Sequence, residues 1–552
     1  MPPCGKPDMK PTYRKLAAVL AVLAAVAGAA SVLVYTIVFA KANVTSDTVD
    51  TLMWAYASHE SGSLFASDFA YAGFLPFGGA LLMQPFVALF GVGYAAQTAG
   101  MVMFLLLFFA AVLFFARRMG LSPAGSAFAL FSVCALVLCS PKFREMFCEH
   151  ILYYSLFALF FMVGFALLDR LYAALAAQKK TSSAVCGTLA FLFFTAVASD
   201  GFQVAGLVLV PLCAAFFCER FFDVKTRLFS PENLPACLCA ALPLPAMALG
   251  FLLRTLLTGG AQFGYANASS VYDTMANMRD WTGKLASLLT EYFGLFDIRF
   301  TDNASLTDPL QLPALLRVLI AGALLLTLPA LAVFYRKCGA RLARLFWATA
   351  AVCGVTLFLW FFGTISNAGW RLIPMVFSQF LLFSCAAAYA CKSVSLRRFG
   401  ALLCAGLALF GCVSFSSLLS MERTTAPAGK YQGLYDAVHG KGLRYGYGSF
   451  WVANALFVLS GGEVQTHNTG VSETGELVLE QYQQFPCDSA AYEQQDGSFL
   501  ILLAADVGRF EKSETYRALA PYLTGTQTDA GLAWGCRIYF YSCDIAPYLA
   551  EG

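Results

Sequence analysis

Long apolar stretches alternate with short polar ones over residues 1–420. Most of the apolar stretches reach the roughly 20 residues that a helix needs to cross a bilayer. This alternation predicts eleven membrane-spanning helices, here called span one to span eleven. They cover residues 16–40, 97–116, 122–140, 151–170, 184–198, 202–219, 236–256, 316–335, 346–364, 373–391 and 399–419.

The composition supports a membrane protein. Of the 552 residues, 59% are hydrophobic and only 12% are charged. A chain with so little polar surface cannot cover itself as a soluble globule. We therefore expect the lipid bilayer to be a partner. The net charge of +3 says little about other partners, and we expect no nucleic acid among them.

Basic residues predict how the spans are oriented. Lys and Arg precede span one and follow each of spans two, four, six, eight and ten, and such clusters stay in the cytoplasm. The chain is therefore predicted to be a multi-pass plasma-membrane protein with a cytoplasmic N-terminus and an extracytoplasmic C-terminus. The clusters are Lys10, Arg14 and Lys15; Arg117 and Arg118; Arg170, Lys179 and Lys180; Arg220, Lys225 and Arg227; Arg336, Lys337, Arg341 and Arg344; and Lys392, Arg397 and Arg398.

Two long loops are predicted on the outer side, at residues 41–96 and 257–315. Within the first loop, residues 77–92 are apolar but interrupted by glycine and by Pro85. This stretch has the composition of an additional span or of a helix lying on the membrane surface. We favour the surface helix, because an additional span would invert the charge pattern of all later loops.

Residues 421–552 have the composition of a small soluble α/β domain. Segments 429–439 and 450–460 are predicted helices, whereas 499–505 and 537–541 are predicted strands bounded by turn residues. Orientation places this domain outside the cell. The chain therefore divides into a multispan membrane domain, residues 1–420, and an extracytoplasmic domain, residues 421–552.

The outer regions carry two further patterns. Three cysteines lie in the C-terminal domain, which allows either three free thiols or one disulfide between Cys487 and Cys536 or Cys543. Three N-x-S/T triplets, at Asn43, Asn267 and Asn303, are glycosylation acceptors only where the cell modifies this compartment.

Ionisable side chains gather at the outer ends of the predicted spans. Acids held at a membrane surface indicate a functional site. Carboxylates, a histidine and arginines together suit transfer between a membrane-held phosphate ester and a polar acceptor, with a carboxylate as general base and a cation at the phosphate. The candidates are Asp47, Asp50, Glu149, His150, Asp200, Arg254 and Arg371.

Each candidate also has a structural interpretation. Asp47 and Asp50 share a face if they lie on one helix, and either is also a candidate helix N-cap. Glu149 and His150 are candidates for a solvated helix end whose polar groups snorkel to water. Asp200 has the position of a cap for span six. Arg254, and Arg371 beside Trp370, have positions typical of interfacial anchors.

The first outer loop resembles that of the GT-C glycosyltransferases, which include the protein O-mannosyltransferases and the lipid A aminoarabinose transferase. Asp47 matches the acid that opens the family's loop, but Thr48 stands where a Glu usually follows, so Asp50 is a candidate replacement. The segment Ala57–Gly62, which contains Glu60, also matches, as do Pro76, Pro85 and Phe90-Gly91. Later in the chain, Glu149 matches a second acidic position, and Arg371-Leu-Ile-Pro374 resembles a late Arg-Tyr-x-x-Pro motif.

This resemblance implies a polytopic GT-C fold and a reaction. The donor would be a sugar on a polyprenyl phosphate, and the acceptor an unidentified cell-envelope glycan, lipid or protein positioned by the outer domain. Asp47 would act as base or metal ligand with help from Glu149, and the two would hold any divalent Mg or Mn. Arg371 and Arg254 would bind the donor phosphate. The open alternatives are a transporter or flippase of a lipid-linked saccharide and a catalytically inactive scaffold.

Overall fold

The structure is a computed structural model. It describes residues 11–222, 230–263, 280–298, 311–363, 368–421, 429–486, 496–529, 531 and 535–551. The statements below concern this part of the chain.

Ten helices in the described residues are long and apolar enough to cross a membrane, and a bent pair makes eleven. The eleven predicted spans are therefore confirmed, including the two short ones around Asp200. The straight helices are Lys15–Asn43, Tyr94–Arg118, Tyr153–Ala176, Lys180–Ser199, Phe202–Phe221, Leu234–Thr258, Leu312–Phe334, Ala340–Phe362, Gly369–Lys392 and Arg397–Ser420.

Span three is the bent pair. It runs from Pro123 to Leu138 and continues as Pro141–Glu149 after a bend of 110°. The cause is local, because Ser140 accepts a hydrogen bond from Phe143 N at 3.2 Å and Pro141 starts the new segment without an N–H of its own. Residues 141–149 therefore form a helix that turns sideways at the bundle end.

Successive spans joined by short loops run in opposite directions. The C-terminal ends of odd-numbered spans therefore meet the N-terminal ends of even-numbered spans. This end of the bundle, which contains Asn43, Tyr94, Tyr153 and Ser199, is called the site end below. The other end contains the basic clusters.

The first loop covers the site end with several short elements. Helix Asp50–Ser61 is followed by strand β1 (Ala70–Tyr71), which pairs in parallel with β2 (Gln262–Phe263). Helix Gly79–Phe90 has 12 residues, about 18 Å of length, which is too short to cross a bilayer. The prediction of a helix rather than an additional span at residues 77–92 is confirmed. Helix Trp281–Gly294 lies in the second loop.

The C-terminal domain is built on one seven-stranded mixed sheet, with strand order β7-β8-β6-β3-β4-β5-β9. Strands β3 to β9 are Tyr445–Gly448, Gln465–Val471, Leu477–Leu479, Ser498–Leu503, Leu523–Asp529, Cys536–Tyr541 and Ala550–Glu551. Its helices are Gly429–His439, Phe450–Leu459, Ala504–Phe510 and Glu514–Leu519. The two helices and two strands predicted for this domain are confirmed.

The domain is joined to the first loop by backbone and side-chain hydrogen bonds. Gln483 N donates to Ala70 O at 2.6 Å, and Ala70 N donates to Gln484 O at 3.0 Å. The indole of Trp54 donates to the Gln483 amide oxygen at 2.5 Å. The C-terminal domain therefore lies directly over the site end of the bundle.

The structure describes some of the cysteines and N-x-S/T asparagines considered above. Cys536 and Cys543 are free thiols, and Cys487 lies outside the described residues. The side-chain amide of Asn43 donates to Glu149 Oε1 at 3.0 Å, so it faces the protein rather than a modifying enzyme. Asn267 and Asn303 lie outside the described residues.

Candidate active site

Asp47 lies in a turn at the exit of span one. Thr48 Oγ1 accepts from Thr45 N at 2.8 Å, and Asp50 N donates to Asp47 O at 3.3 Å. Helix Asp50–Ser61 begins only after this turn. Asp47 and Asp50 therefore do not lie on one helix, which was the condition for their sharing a helix face, because Asp47 belongs to the Thr45–Thr48 turn that precedes the helix.

The surroundings of Asp47 favour its protonated form. The residue is half-buried, and burial raises the pKa of its carboxyl, with a further rise from the Glu145 carboxylate and a smaller opposing effect of the Lys142 ammonium. A carboxylate with a raised pKa is a better proton acceptor than an ordinary one. Asp47 is thus suited to remove a proton from a hydroxyl group.

His150 lies against the Asp47 turn and is almost fully buried. Its Nδ1 is 3.3 Å from Asp47 O, while Nε2 has no hydrogen-bond partner in the described structure. Burial lowers the pKa of the imidazole, which keeps it neutral. The interpretation of His150 as a solvated helix end is wrong, because the bend at Ser140 folds this segment into the protein.

Lys142 connects the acidic and basic parts of the site. Its ammonium lies 2.5 Å from a carboxylate oxygen of Glu145 and 4.7 Å from the centre of the Trp370 ring. Trp370 precedes Arg371 at the entrance of span ten. Lys142 therefore contacts both Glu145 and the residue that precedes Arg371.

Arg371 is a cation without a carboxylate partner among the described residues. Its Nε is buried and makes no hydrogen bond there, and the Tyr154 hydroxyl lies within its electrostatic range. Arg371 remains partly exposed. A guanidinium left unpaired at a membrane surface is well suited to an anionic ligand, because its fork of N–H donors matches phosphate oxygens.

Glu149 points away from Asp47. Its Oε1 accepts from the Tyr35 hydroxyl at 2.5 Å and from the Asn43 amide at 3.0 Å. Its main-chain oxygen accepts from the side chain of Gln97, which also donates to Thr48 O. Glu149 is buried rather than solvated, so the snorkelling interpretation is wrong for this residue too. It holds the Asp47 turn against spans one and two.

The sequence predicts a divalent metal held by Asp47 and Glu149. In the described part of the chain no three His, Cys, Asp or Glu side chains come together as a metal centre. One carboxylate oxygen of Glu149 accepts from Tyr35 and Asn43, and the Glu145 carboxylate acts electrostatically on Asp47. A metal ion held by Asp47 and Glu149 stays a prediction.

Asp50 is buried in the first turn of its helix. Val49 occupies the N-cap position and no side chain caps this helix, so the N-cap interpretation of Asp50 is wrong. Burial raises the pKa of Asp50 well above its ordinary value, and Asp47 raises it further. One carboxylate oxygen has no hydrogen-bond partner in the described structure. Asp50 therefore stays a candidate for assisting Asp47.

Asp200 and Arg254 fasten the first loop to the bundle. Asp200 accepts from Phe77 N at 3.0 Å, and Arg254 donates to Phe74 O at 2.6 Å and to Ser199 O at 3.0 Å. Asp200 therefore binds the backbone of the first loop. It does not cap span six, whose first turn has no side-chain cap. Arg254 is engaged by two carbonyl oxygens, which favours the anchor over the phosphate ligand.

Glu60 lies apart from the other candidates. It is exposed, ten residues and about 15 Å beyond Asp50 along the same helix. The residues that sequence reasoning missed are Lys142, Glu145, Gln97 and Tyr154. The three-residue spacing of Lys142 and Glu145 is typical of an ion pair on one helix and was the available signal.

Comparison with known proteins gives a distant structural likeness. No family model matches the chain, and no curated protein matches it. Two crystal structures of ArnT from Cupriavidus metallidurans, one apo and one bound to undecaprenyl phosphate, align over 95% of this chain and 98% of theirs. Each has 14% sequence identity and a TM-score of 0.43. At this level of similarity, function has to be inferred from the site itself.

Proposed function

We propose that the protein is a membrane glycosyltransferase that moves a sugar from a polyprenyl phosphate to a hydroxyl group of an acceptor. The observation that supports this most strongly is that Arg371, which has no carboxylate partner among the described residues, lies at the same end of the bundle as Asp47. Lys142 acts on Asp47 and packs over Trp370, the neighbour of Arg371. A lipid phosphate needs a cation at the membrane surface, and glycosyl transfer needs a base beside it.

The reaction is a direct displacement. The acceptor oxygen forms a bond to the anomeric carbon, while the bond from that carbon to the phosphate oxygen breaks and its electron pair leaves with the phosphate. The acceptor proton passes to the carboxylate of Asp47. The anomeric configuration is inverted, because attack and departure occur on opposite faces.

Arg371 and Lys142 stabilise the leaving phosphate. Charge grows on the phosphate oxygen as the bond breaks, and fixed N–H donors outside bulk water stabilise such charge most effectively. The Lys142 ammonium also opposes the rise in the pKa of Asp47, so it keeps part of the base ionised. His150 and Gln97 position the turn that carries Asp47.

Orientation of the site follows from the basic clusters. They lie at the opposite end of the bundle, so the site would face the extracytoplasmic side, and the lipid-linked sugar would reach it within the outer leaflet. The C-terminal domain, which lies over the site end, is positioned to hold the acceptor.

A binding experiment tests the role of Arg371. Purified protein in nanodiscs would be titrated with a polyprenyl phosphate, and the Arg371→Gln variant compared with Arg317→Gln. Arg317 is the matched control, because it lies at the same end of the bundle but is paired with Asp297 at 2.9 Å. Loss of a charge-assisted contact predicts at least tenfold weaker binding for Arg371→Gln.

The control defines the contradicting result. Arg317→Gln should bind the lipid within about twofold of the wild type, since its guanidinium is already occupied. Equal losses in both variants would indicate a general effect of surface charge. Unchanged binding of polyprenyl phosphate to Arg371→Gln would contradict the role of Arg371 in binding the phosphate.

A further inference from the structure

A cavity of about 180 Å³ lies between the first loop and the C-terminal domain. Its walls come from helix Asp50–Ser61, helix Phe450–Leu459, the start of β4 and residues 484–486. None of the described residues that line it is an Asp, Glu, Lys or Arg. Burying an unpaired charge is costly, so an uncharged lining favours a neutral ligand.

Aromatic rings form one part of this cavity. Tyr56 packs against Phe457 and Phe485, with ring centres 5.3 and 6.2 Å apart. All three rings are only partly buried. Flat aromatic faces with polar groups beside them are typical of sites that bind small molecules.

Polar groups without partners form another part. His467 Nε2 is 3.2 Å from Phe485 O, and since a carbonyl only accepts, this nitrogen carries the proton. Nδ1 is then an acceptor, and it has no partner among the described residues. Thr466 Oγ1, equally buried, also lacks one there. Burial lowers the pKa of His467, which keeps it in this neutral form.

A ligand of this cavity must pack against the aromatic rings and also form hydrogen bonds with the polar groups. A hydroxyl can donate to His467 Nδ1, while the exposed Gln465, two residues away on the same face of β4, offers an amide at the rim. The apolar face of a ring can pack on Tyr56 and Phe457. The volume equals about six water molecules, which suits a single ring rather than a long chain.

The cavity is close to the base. Met53 and Tyr56 lie about 5 and 9 Å from Asp50 along their helix axis. Helix Phe450–Leu459 contacts the Asp47 turn directly, because Ala455 N donates to Ser46 Oγ at 3.3 Å. We propose that this cavity binds one neutral sugar ring of the acceptor, so that the acceptor is a glycan or a glycosylated molecule.

The role of the bound sugar as an acceptor rests on the proposed transferase activity. Binding of the sugar can be tested without measuring that activity. Full-length protein in nanodiscs would be mixed with methyl glycosides of glucose, galactose, mannose and N-acetylglucosamine. Saturation-transfer NMR would report binding, with glucuronate as the charged comparator and octanol as the apolar one. We expect a neutral glycoside to bind and the comparators not to.

Variants locate the bound ring. Tyr56→Ala and His467→Ala should each weaken glycoside binding at least tenfold, and Gln465→Ala at the rim about threefold. Tyr522→Ala and His439→Ala, which change exposed residues of the same types on the C-terminal domain, should bind as the wild type does. Gln465 is exposed, so its variant stays informative if the buried changes prevent folding.

Three outcomes would overturn this assignment. They are no binding of any neutral glycoside, unchanged binding in all three cavity variants, and octanol binding in place of the sugars. Glycoside binding without any donor turnover would support the sugar-binding site and contradict the transferase activity. Donor turnover without glycoside binding would support the transferase activity and contradict the sugar-binding site.

Discussion

The two ends of the helix bundle treat charge in opposite ways. At the end opposite the site, Asp169 is paired with Arg118, Arg341 and Arg344 at 2.8 to 3.4 Å, and Glu219 is paired with Arg220 and Arg344. At the site end, Arg371 and one oxygen of Asp50 have no partner in the described structure.

This difference separates structural charges from functional ones. The guanidinium of Arg344 is also packed over the Tyr172 ring at 3.7 Å and is 2% exposed, so it joins several spans and is shielded from any ligand in solution. Buried ions are tolerated where they are paired, and an unpaired group needs another reason to persist. Paired charges in the spans also fit a transport path poorly.

The largest expected effect is a loss of stability when the ion pairs of Asp169 are removed. Asp169→Ala leaves Arg344 buried without its closest carboxylate, and removing one partner of a buried ion pair costs about 3–5 kcal/mol. We expect a large loss of thermal stability in detergent. Arg341→Ala, at a side chain that is 40% exposed, is the control and should cost less than about 1 kcal/mol. Similar melting temperatures for the two variants would contradict the structural role.

The second prediction concerns how Lys142 and Glu145 set the pKa of Asp47 at the site end. Lys142 lowers and Glu145 raises the pKa of Asp47, so their removal should shift the acidic limb of donor turnover in opposite directions. Lys142→Met should move that limb to higher pH, and Glu145→Gln to lower pH, each by up to about one unit. The measurement is the pH dependence of kcat/KM for the wild type and both variants. Shifts of the same sign would show that another group titrates.

The third prediction concerns the loop anchor Asp200. Burial raises its pKa to about 7, above the ordinary value of about 3.9 in an unfolded chain. The folded protein then binds more protons than the unfolded one between these values, so this group lowers stability as pH rises from about 4 to 7. The counteracting groups are the Arg254 guanidinium and the N–H groups of Phe77 and Gly78.

Comparing wild type with Asp200→Asn isolates that contribution. The melting temperature of the wild type should fall relative to the variant across this pH range, because asparagine keeps an acceptor for Phe77 N but does not titrate. Glu60→Gln, which changes an exposed carboxylate, controls for the loss of one charge. A difference that stays constant with pH would contradict the assignment.

Hydropathy and charge were sufficient to predict the framework. The spans, the position of Asp47 and Arg371 at one end of the bundle, and the main helices and strands of the C-terminal domain follow from periodicity and alternation. These features depend on neighbouring residues along the chain. They could therefore be derived without knowledge of tertiary contacts.

The partners of the candidate residues could not be derived in this way. The bend at Ser140-Pro141 turns Glu149 toward Tyr35 and brings Glu145 within electrostatic range of Asp47. Arg254 and Asp200 bind backbone groups of a loop more than 120 residues away. Such contacts carry no local signal, because any residue supplies a main-chain N–H or C=O.

The central claim is that Asp47 acts as the base in sugar transfer from a lipid phosphate. The most direct measurement is release of radiolabelled sugar from a panel of polyprenyl-phosphate sugars by the wild type and by Asp47→Asn, both in nanodiscs. We expect release by the wild type with at least one donor, and a loss of about 10²–10⁴-fold in the variant. Equal release by the two proteins would contradict the assignment of Asp47. No release with any donor, from protein that binds polyprenyl phosphate and is fully folded, would contradict the transferase itself.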